Sequence, residues 1–475
     1  MASDRHSNKN IFALILAGGV GSRFWPFSRE LEPKQFMELG EGGSLIQNTL
    51  FRLQGLVRPR QIYIITRFSY FFELKRQIKK FHIPEVNILL EPEAKNTAPA
   101  IGYCARLIEQ LDKDATLIVL PSDHFIRDLP KFKMSLLRAI DVADLGFLVT
   151  LGIKPKRIST GYGYIKIKRP HKRTNKRVCY YKVDRFLEKP SLEKAKKYMA
   201  DRDYFWNSGI FVWKVAAFLE ELKRYLPALY SQLMSINSIE DINKVWHRVK
   251  PISVDYGILE RSGKIALLPA TFSWADLGSW DALEDVLGKD KHGNLIQADS
   301  VDLDSKGICV FSRGKRLIAT IGLEDLIIAD TPDALMVCDR SRSQDVKKII
   351  EKLKSSKRKE HIRHLTEKRP WGSYTVLQTA PGFKIKLVQI ESGKRLSLQS
   401  HSKRAEHWVV VSGCAKVISC GKKKLIKSNQ SIYIPKGTKH RLENPRNSTL
   451  KIVEVQTGKY LEEDDIKRFD DDFLR

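Results

Sequence analysis

The chain has no paired cysteines to work with. Cys104, Cys179, Cys309, Cys338, Cys414 and Cys420 are scattered through 475 residues without one C-x-x-C pair. That excludes a disulfide-stapled domain and a thiolate zinc module, and reads as a reduced, cytosolic protein. Long apolar runs are missing too. The run Ile11–Leu16 is cut by glycine just after Ala17, far short of the ~20 residues that span a bilayer. The polar MASDRHSNKN ahead of it is unlike a signal peptide, so the expectation is a soluble, cytoplasmic protein with no membrane partner. No fixed-period repeat and no low-complexity segment is visible. Acidic residues are in deficit, 55 against 83 Lys and Arg, for a net charge of +28. The excess lies in two runs, KIKRPHKRTNKR (166–177), which reads as a hairpin tip, and KKIIEKLKSSKRKEHIRHLTEKR (347–369), which reads as a helix entering a linker. Neither interleaves aromatics at stacking spacing, so the charge reads as solvated and no nucleic acid is expected. A basic nucleic-acid binder is the alternative from another functional class.

What is present divides the chain in three, as its length suggests at about 150 residues per domain. From Ile11 to about Lys289, apolar runs such as QIYIITR, VNILLEP and ATLIVLPSD alternate with stretches of helical spacing. That pattern predicts an α/β domain, residues 1–289, with a mostly parallel sheet whose ligand lies at the carboxyl ends of the strands. Residues 290–354 carry short apolar runs and one helix (SQDVKKIIEKLK), predicting a small β-rich bridge of one or two β-helix turns. A linker at 355–368 precedes short strands and Gly/Pro/Asn turns over 369–475, the texture of an all-β barrel.

The first strand runs into LAGGVGSRFWPFSRELEPKQF. Glycines 18, 19 and 21 let backbone N–H groups approach an anion. The dinucleotide fingerprint would need a third glycine where Phe24 stands, and a P-loop would need its glycine where Arg23 stands. Neither fits, so Arg23 and Lys34 need their own account: cations that hold a phosphate in a way suited to displacement at phosphorus, or surface charges on a plain strand-to-helix turn. Asp123, ending ATLIVLPSD, is placed either for Mg²⁺ or to cap a helix starting near Leu129. Asp276, in SWADLGSW, is either a site wall or a turn. EPEAKNTAPA, GYGYIK, FLEKP and FWNSGIF each mix glycine or proline with polar and aromatic residues.

Taken in order, these strings resemble the sugar-phosphate nucleotidylyltransferases, most closely the mannose-1-phosphate guanylyltransferases, through Gly18-Gly19-x-Gly21-x-Arg23-x-x-Pro26-x-Ser28-Arg29 and Pro33-Lys34-Gln35-Phe36. The resemblance implies a Rossmann-like nucleotide-diphospho-sugar transferase domain that uses GTP and mannose 1-phosphate. It implies catalytic roles for Arg23 and Lys34 on the triphosphate, and nucleotide contacts from Gly18, Gly19, Gly21 and Asn96, with EPEAKNTAPA beside the guanine. Gly163, Glu188, Lys189 and Asn207 would hold the sugar phosphate, and Asp123 and Asp276 would ligate Mg²⁺. Phe24 and Phe27 stand where the family usually has leucine, a change in packing rather than chemistry.

In the last segment, Gln399 and His401 are two apart on a strand and face one way; Glu406 and His440 follow. Two imidazoles, a carboxylate and an amide oxygen suit a divalent transition ion, zinc among the candidates; polar barrel lining without metal is the alternative. The spacing Gly393-x5-Gln399-x-His401-x4-Glu406, then Pro435-x-Gly437-x2-His440-x3-Asn444, resembles the two cupin motifs. With Arg369-Pro370-Trp371-Gly372 and EDDIKRFDDDF, it resembles the C-terminal half of type II bifunctional isomerase/guanylyltransferases. The resemblance implies interconversion of mannose 6-phosphate and fructose 6-phosphate; a monofunctional transferase with a structural cupin is the other enzyme reading. The family often has consecutive histidines where Ser402 and Lys403 stand here. His407 and Arg404 are the nearby candidates for base and substrate-phosphate contact. A homo-oligomer is compatible with all of this.

Overall fold

The computed structural model describes residues 10–39, 42–174 and 178–470. The chain clusters into two compact units, one of residues up to 331 with 335–357, the other of 332–334 with 358 onward. No helix among the described residues is long and apolar enough to cross a membrane. All six cysteines are unpaired.

In the first unit, strand Ile11–Leu16 runs parallel to both Ile62–Arg67 and Thr116–Pro121. It is apolar throughout because helices cover both of its faces. Successive side chains point to opposite sides. Ile11, Ala13 and Ile15 join Leu136 and Ile140 in one core, while Phe12 and Leu14 join Ile101 and Ile108 in the other. Helix Thr97–Leu111 supplies the second core and helix Leu129–Ala143 the first.

The sheet is mixed, which corrects the expectation of a mostly parallel one. Its described strands run in the order Ile88–Glu91, Ile62–Arg67, Ile11–Leu16, Thr116–Pro121, Tyr204–Lys214, Leu148–Ile153, Ile265–Pro269, Cys179–Leu187, Tyr164–Arg173. Tyr204–Lys214 is antiparallel to the strands on either side of it, and Tyr164–Arg173 pairs antiparallel with Cys179–Leu187. Apolar alternation reports burial but carries no strand direction. The short 173–179 connection can only return antiparallel, since a parallel return needs a crossover of a dozen or more residues. This hairpin carries the first basic run; residues 175–177 lie outside the described residues.

Residues 295–330 coil as a parallel β-helix. Ser300 pairs with Ile318, Lys306 with Glu324 and Cys309 with Ile327, each pair eighteen positions apart. That period escapes a repeat search because only about two coils are present. Strand Leu335–Asp339 closes the stack antiparallel, and helix Val346–Ser355 follows.

The second unit is an antiparallel barrel of two sheets. One is ordered Thr366–Arg369, Gly372–Ala380, Phe383–Ile390, Leu450–Gly458, Arg404–Ser412, Ser431–Ile434. The other is ordered Lys422–Lys427, Cys414–Ser419, His440–Glu443, Leu398–His401, Ile466–Asp470. Its interior is divided. Trp408, Val410, Val417, Leu442 and Ile452 fill an apolar part, while Lys386, Gln399, His401, Arg404, Glu406, His440, Glu454 and Gln456 are buried as polar groups. Residues 471–473 of EDDIKRFDDDF lie outside the described residues.

Candidate functional sites

The glycine loop begins where the first strand leaves the sheet. Ala17 O accepts from Gln35 Nε2 and Thr66 Oγ1, both at 2.8 Å, which clamps the base of the loop. Gly21 has φ 65°, and a Cβ there would lie 2.3 Å from Lys34 Cβ; only glycine meets both conditions. A Cβ on Gly19 would meet nothing within 4 Å, and one on Gly18 would come within 3.0 Å of Glu91 Oε2. Past the loop, Phe24 and Phe27 pack on the buried Trp280 with ring centroids 5.2 and 5.0 Å away. The Arg313 guanidinium lies over Phe27 and donates to its carbonyl at 3.0 Å. The two phenylalanines are therefore core side chains joining the loop to the β-helix, which agrees with a packing role.

Just before them, Arg23 keeps its Nε buried without a hydrogen-bond partner among the described residues. Lys34 is 3% exposed. Its Nζ donates to Asp123 Oδ2 at 2.8 Å and to the Asp276 carbonyl at 2.5 Å. Two aspartates 153 positions apart in the sequence thus meet at one ammonium. Burial raises the proton affinity of the Asp123 carboxyl, but Lys34 and His124 outweigh it and hold the group below the usual carboxylate range. The helix Leu129–Ala143 has Asp128 at its N-cap position, so Asp123 does not cap it. Asp276 Oδ1 accepts from Tyr162 OH at 3.0 Å and from the Gly278 amide at 2.8 Å.

A cleft of about 190 Å³ runs from Asp276 past Tyr162 and Trp274 to Gly163, Glu188, Asn207 and Asp255. A Cβ on Gly163 would fall 2.4 Å from Glu188 Oε2, so the glycine makes room for that carboxylate. Lys189 Nζ pairs with Glu188 at 2.9 Å. Asn207 Nδ2 donates to Asp255 Oδ1 at 3.0 Å. Burial, with Glu188 opposite, raises the Asp255 carboxyl to about 7. Asn96 stands at the N-cap of helix Thr97–Leu111 and accepts from the Thr97 amide at 2.8 Å.

Four groups here carry no sequence signal of their own: Glu91, His124, Tyr162 and Asp255. Glu91 lies in EPEAKNTAPA and Tyr162 in GYGYIK, but nothing in one dimension separates them from turn residues. Burial raises the Glu91 carboxyl to about 7, with Oε1 left without a partner among the described residues. Burial drives His124 down to about 4, and Trp274 Nε1 donates to its Nδ1 at 3.2 Å. That leaves a neutral ring with its proton on Nε2.

In the barrel, His401, Glu406 and His440 bring ligand atoms within 4.8 Å of one another, all buried. His401 Nε2 lies 3.1 Å from Glu406 Oε1, and His440 Nε2 lies 3.6 Å from Oε2. His440 Nδ1 donates to the Thr438 carbonyl at 2.8 Å. This fixes the tautomer and turns a lone pair on Nε2 toward the cluster, as the backbone partners of metal-binding histidines do. That Nε2 has no hydrogen-bond partner among the described residues. Gln399 stands opposite His440 in register and lines the same cavity as Glu406; its Oε1 accepts from Ser397. Buried imidazoles, a carboxylate and an amide fit a divalent ion. Arg404 Nε donates to Glu406 at 3.1 Å and its Nη1 to the Glu462 carbonyl at 3.0 Å. These bonds tie Arg404 to the Glu406 carboxylate and to the Glu462 backbone. His407 is exposed on the outer face of the same strand against Tyr433 and does not reach the cavity. Ser402 and Lys403 are exposed and bonded to Asp465, so the departure from the family's histidines also falls outside it.

Comparison with known proteins follows the same division. The nucleotidyl transferase family model matches residues 12–292, the mannose-phosphate isomerase/GMP-like beta-helix domain 298–353, and the mannose-6-phosphate isomerase C-terminal domain 356–471. Mannose-1-phosphate guanylyltransferase of Klebsiella pneumoniae is 38% identical, covering 98% of this chain and 100% of that one. Xanthan biosynthesis protein XanB of Xanthomonas campestris strain B100 is 39% identical over 98% and 99%. The crystal structure of a Thermus thermophilus protein named mannose-1-phosphate geranyltransferase superposes with TM-score 0.64 and 31% identity, over 73% of this chain and 99% of that one. The chain belongs to the nucleotidyl transferase family, in the mannose-1-phosphate guanylyltransferase group that carries a mannose-6-phosphate isomerase C-terminal domain.

Proposed function

We propose that residues 1–289 join GTP to mannose 1-phosphate, releasing pyrophosphate and forming GDP-mannose for polysaccharide synthesis. The division into a transferase, a β-rich bridge at 290–354, a linker at 355–368 and a cupin at 369–475 is part of this reading. The observation that carries it is the Lys34 ammonium bound at once to Asp123 and to the Asp276 backbone, at the mouth of a glycine loop. The backbone N–H groups of Gly18, Gly19 and Gly21 cradle the triphosphate, and the unpartnered Arg23 Nε is a donor available to an anion. Glu188 and Asn207 take sugar hydroxyls while Lys189 holds the sugar phosphate, aiming its oxygen at the α-phosphorus. Two carboxylates beside a phosphate loop fit Mg²⁺, which takes one or two protein carboxylates plus phosphate oxygens. When bound there it neutralises charge on the triphosphate. No covalent enzyme intermediate is needed; catalysis is positioning plus charge stabilisation. Asn96 and Glu91 would face the guanine, whose N1–H and amino group both donate, as a carboxylate requires.

The cupin is read as the isomerase of mannose 6-phosphate and fructose 6-phosphate. Gln399, His401, Glu406 and His440 would hold a divalent transition ion, with zinc one candidate, that supplies a Lewis acid beside the sugar oxygens. A panel of NTPs against sugar 1-phosphates, read by pyrophosphate release, tests the first activity. GTP with mannose 1-phosphate should be the best pair by at least tenfold, and preference for another pair overturns the assignment.

A further inference from the structure

The isomerase reading leaves one role without a residue. Moving a proton between C1 and C2 needs a base that faces the sugar, and the metal ligands are already committed. Of the cavity's titratable side chains, most are engaged elsewhere. Arg404 is tied to Glu406, and Lys386 Nζ is paired with Glu463 at 2.7 Å, which holds the Glu463 carboxyl well below the usual range. Tyr374 OH is bonded to Glu367. Glu454 is left. It lies on strand Leu450–Gly458, opposite Trp408 on one neighbouring strand and Lys386 on the other. It lines the same cavity as Gln399, Arg404 and Glu406.

Gln456 holds it in place. Its Nε2 donates to Glu454 at 2.7 Å and to Glu406 at 3.3 Å, so one amide sets the spacing between the ligand carboxylate and a second, unligated one. A larger pocket of about 470 Å³, lined by Arg363, Lys384 and Thr379, shares Tyr374, Lys386 and Glu463 with this cavity. Tyr374, Lys386 and Glu463 thus border both spaces, and Glu454 lines the inner one beside Gln399 and Glu406.

We propose that Glu454 is the general base of the cupin, an inference that rests on the isomerase reading of that domain. In the open-chain aldose the C2–H bond breaks, its proton goes to Glu454, and its electron pair makes the C1–C2 double bond as the C1 carbonyl opens to an oxyanion. The O2 hydroxyl proton then passes to O1, the C2 carbonyl forms, and Glu454 returns its proton to C1. Atoms and electrons balance with no oxidant or reductant. The surroundings of Glu454 suit this role. It is buried, stands opposite Lys386 across the strand pair, and is held at 2.7 Å by the Gln456 amide that also reaches Glu406.

The test uses the full-length protein with metal content measured by elemental analysis and mannose 6-phosphate turnover followed in D₂O by NMR. Glu454→Gln should lower isomerase turnover at least a hundredfold, and solvent deuterium should enter the sugar at C1 and C2 no faster than turnover. Metal content and guanylyl transfer should match wild type, and Glu454→Asp should recover part of the rate. Isomerase turnover in Glu454→Gln within tenfold of wild type overturns the base assignment, and so does loss of the metal in both variants. A metal-loaded wild type that transfers guanylyl but never isomerises overturns the isomerase reading itself, a separate and distinguishable failure.

Discussion

Replacing Lys34 by alanine should cost both stability and turnover, whereas Arg23→Ala should cost turnover alone. Lys34 Nζ makes two short contacts, to the Asp123 carboxylate and the Asp276 carbonyl. Hydrogen bonds involving a charged group contribute roughly 1.5–3 kcal/mol each. The Asp123 side chain is 36% exposed, so water recovers part of that loss, as it does for other solvent-screened pairs. A net destabilisation of about 2 kcal/mol is the expectation. Arg23 Nε makes no hydrogen bond among the described residues, and truncating it should change stability by less than about 0.5 kcal/mol. Both variants remove a charge from the reacting phosphates, which typically costs about 3–4 kcal/mol, a hundred- to a thousandfold in turnover. Thermal unfolding gives the first quantity and pyrophosphate release the second. Isomerase activity of the same chain serves as an internal control for the second unit. If Arg23→Ala melts as low as Lys34→Ala, or Lys34→Ala keeps its turnover, the two cations do not divide their roles as argued.

Gly163→Ala places a methyl 2.4 Å from Glu188 Oε2, and should raise KM for mannose 1-phosphate tenfold or more while leaving KM for GTP near wild type; equal shifts in both would mean a general collapse of the cleft. His401→Ala and His440→Ala should each lose the cupin metal by elemental analysis, and His407→Ala, on the outer face, should keep it; metal loss in His407→Ala refutes the geometry. Asp255, raised by burial and Glu188 to about 7, binds its proton more tightly folded than unfolded. It therefore contributes stability that is full below the unfolded carboxylate pKa and lost as pH rises through about 7. Asp255→Asn should flatten that fall in a melting-temperature series from pH 4 to pH 8, and an unchanged slope would remove Asp255 as its source. Asp276→Asn should abolish Mg²⁺-dependent turnover; retention of rate and magnesium dependence would leave Asp276 a turn residue.

Much of this protein is written in local order. The run Ile11–Leu16 followed by glycines required a buried strand opening into a glycine loop, because apolar continuity and the need for a positive φ are properties of single positions. Gln399 and His401 could be assigned to one face because strand periodicity needs only two residues. What the order of residues could not carry is distance between remote positions. No local rule relates Asp123 to Asp276; they meet because separate turns bring both to the ammonium of Lys34. Strand direction in the sheet was likewise invisible, since a strand's side-chain period is the same whichever way it runs. His407 and Glu454 show the same limit from opposite sides. His407 neighbours a ligand in the chain, yet the pleat turns it outward, whereas Glu454 lies forty-eight positions beyond Glu406 and reaches the cavity because antiparallel pairing sets Glu406 against Gln456. Backbone register, fixed by hydrogen bonds across the barrel, decides which carboxylates share a low-dielectric interior, and with it which of them can act on a proton.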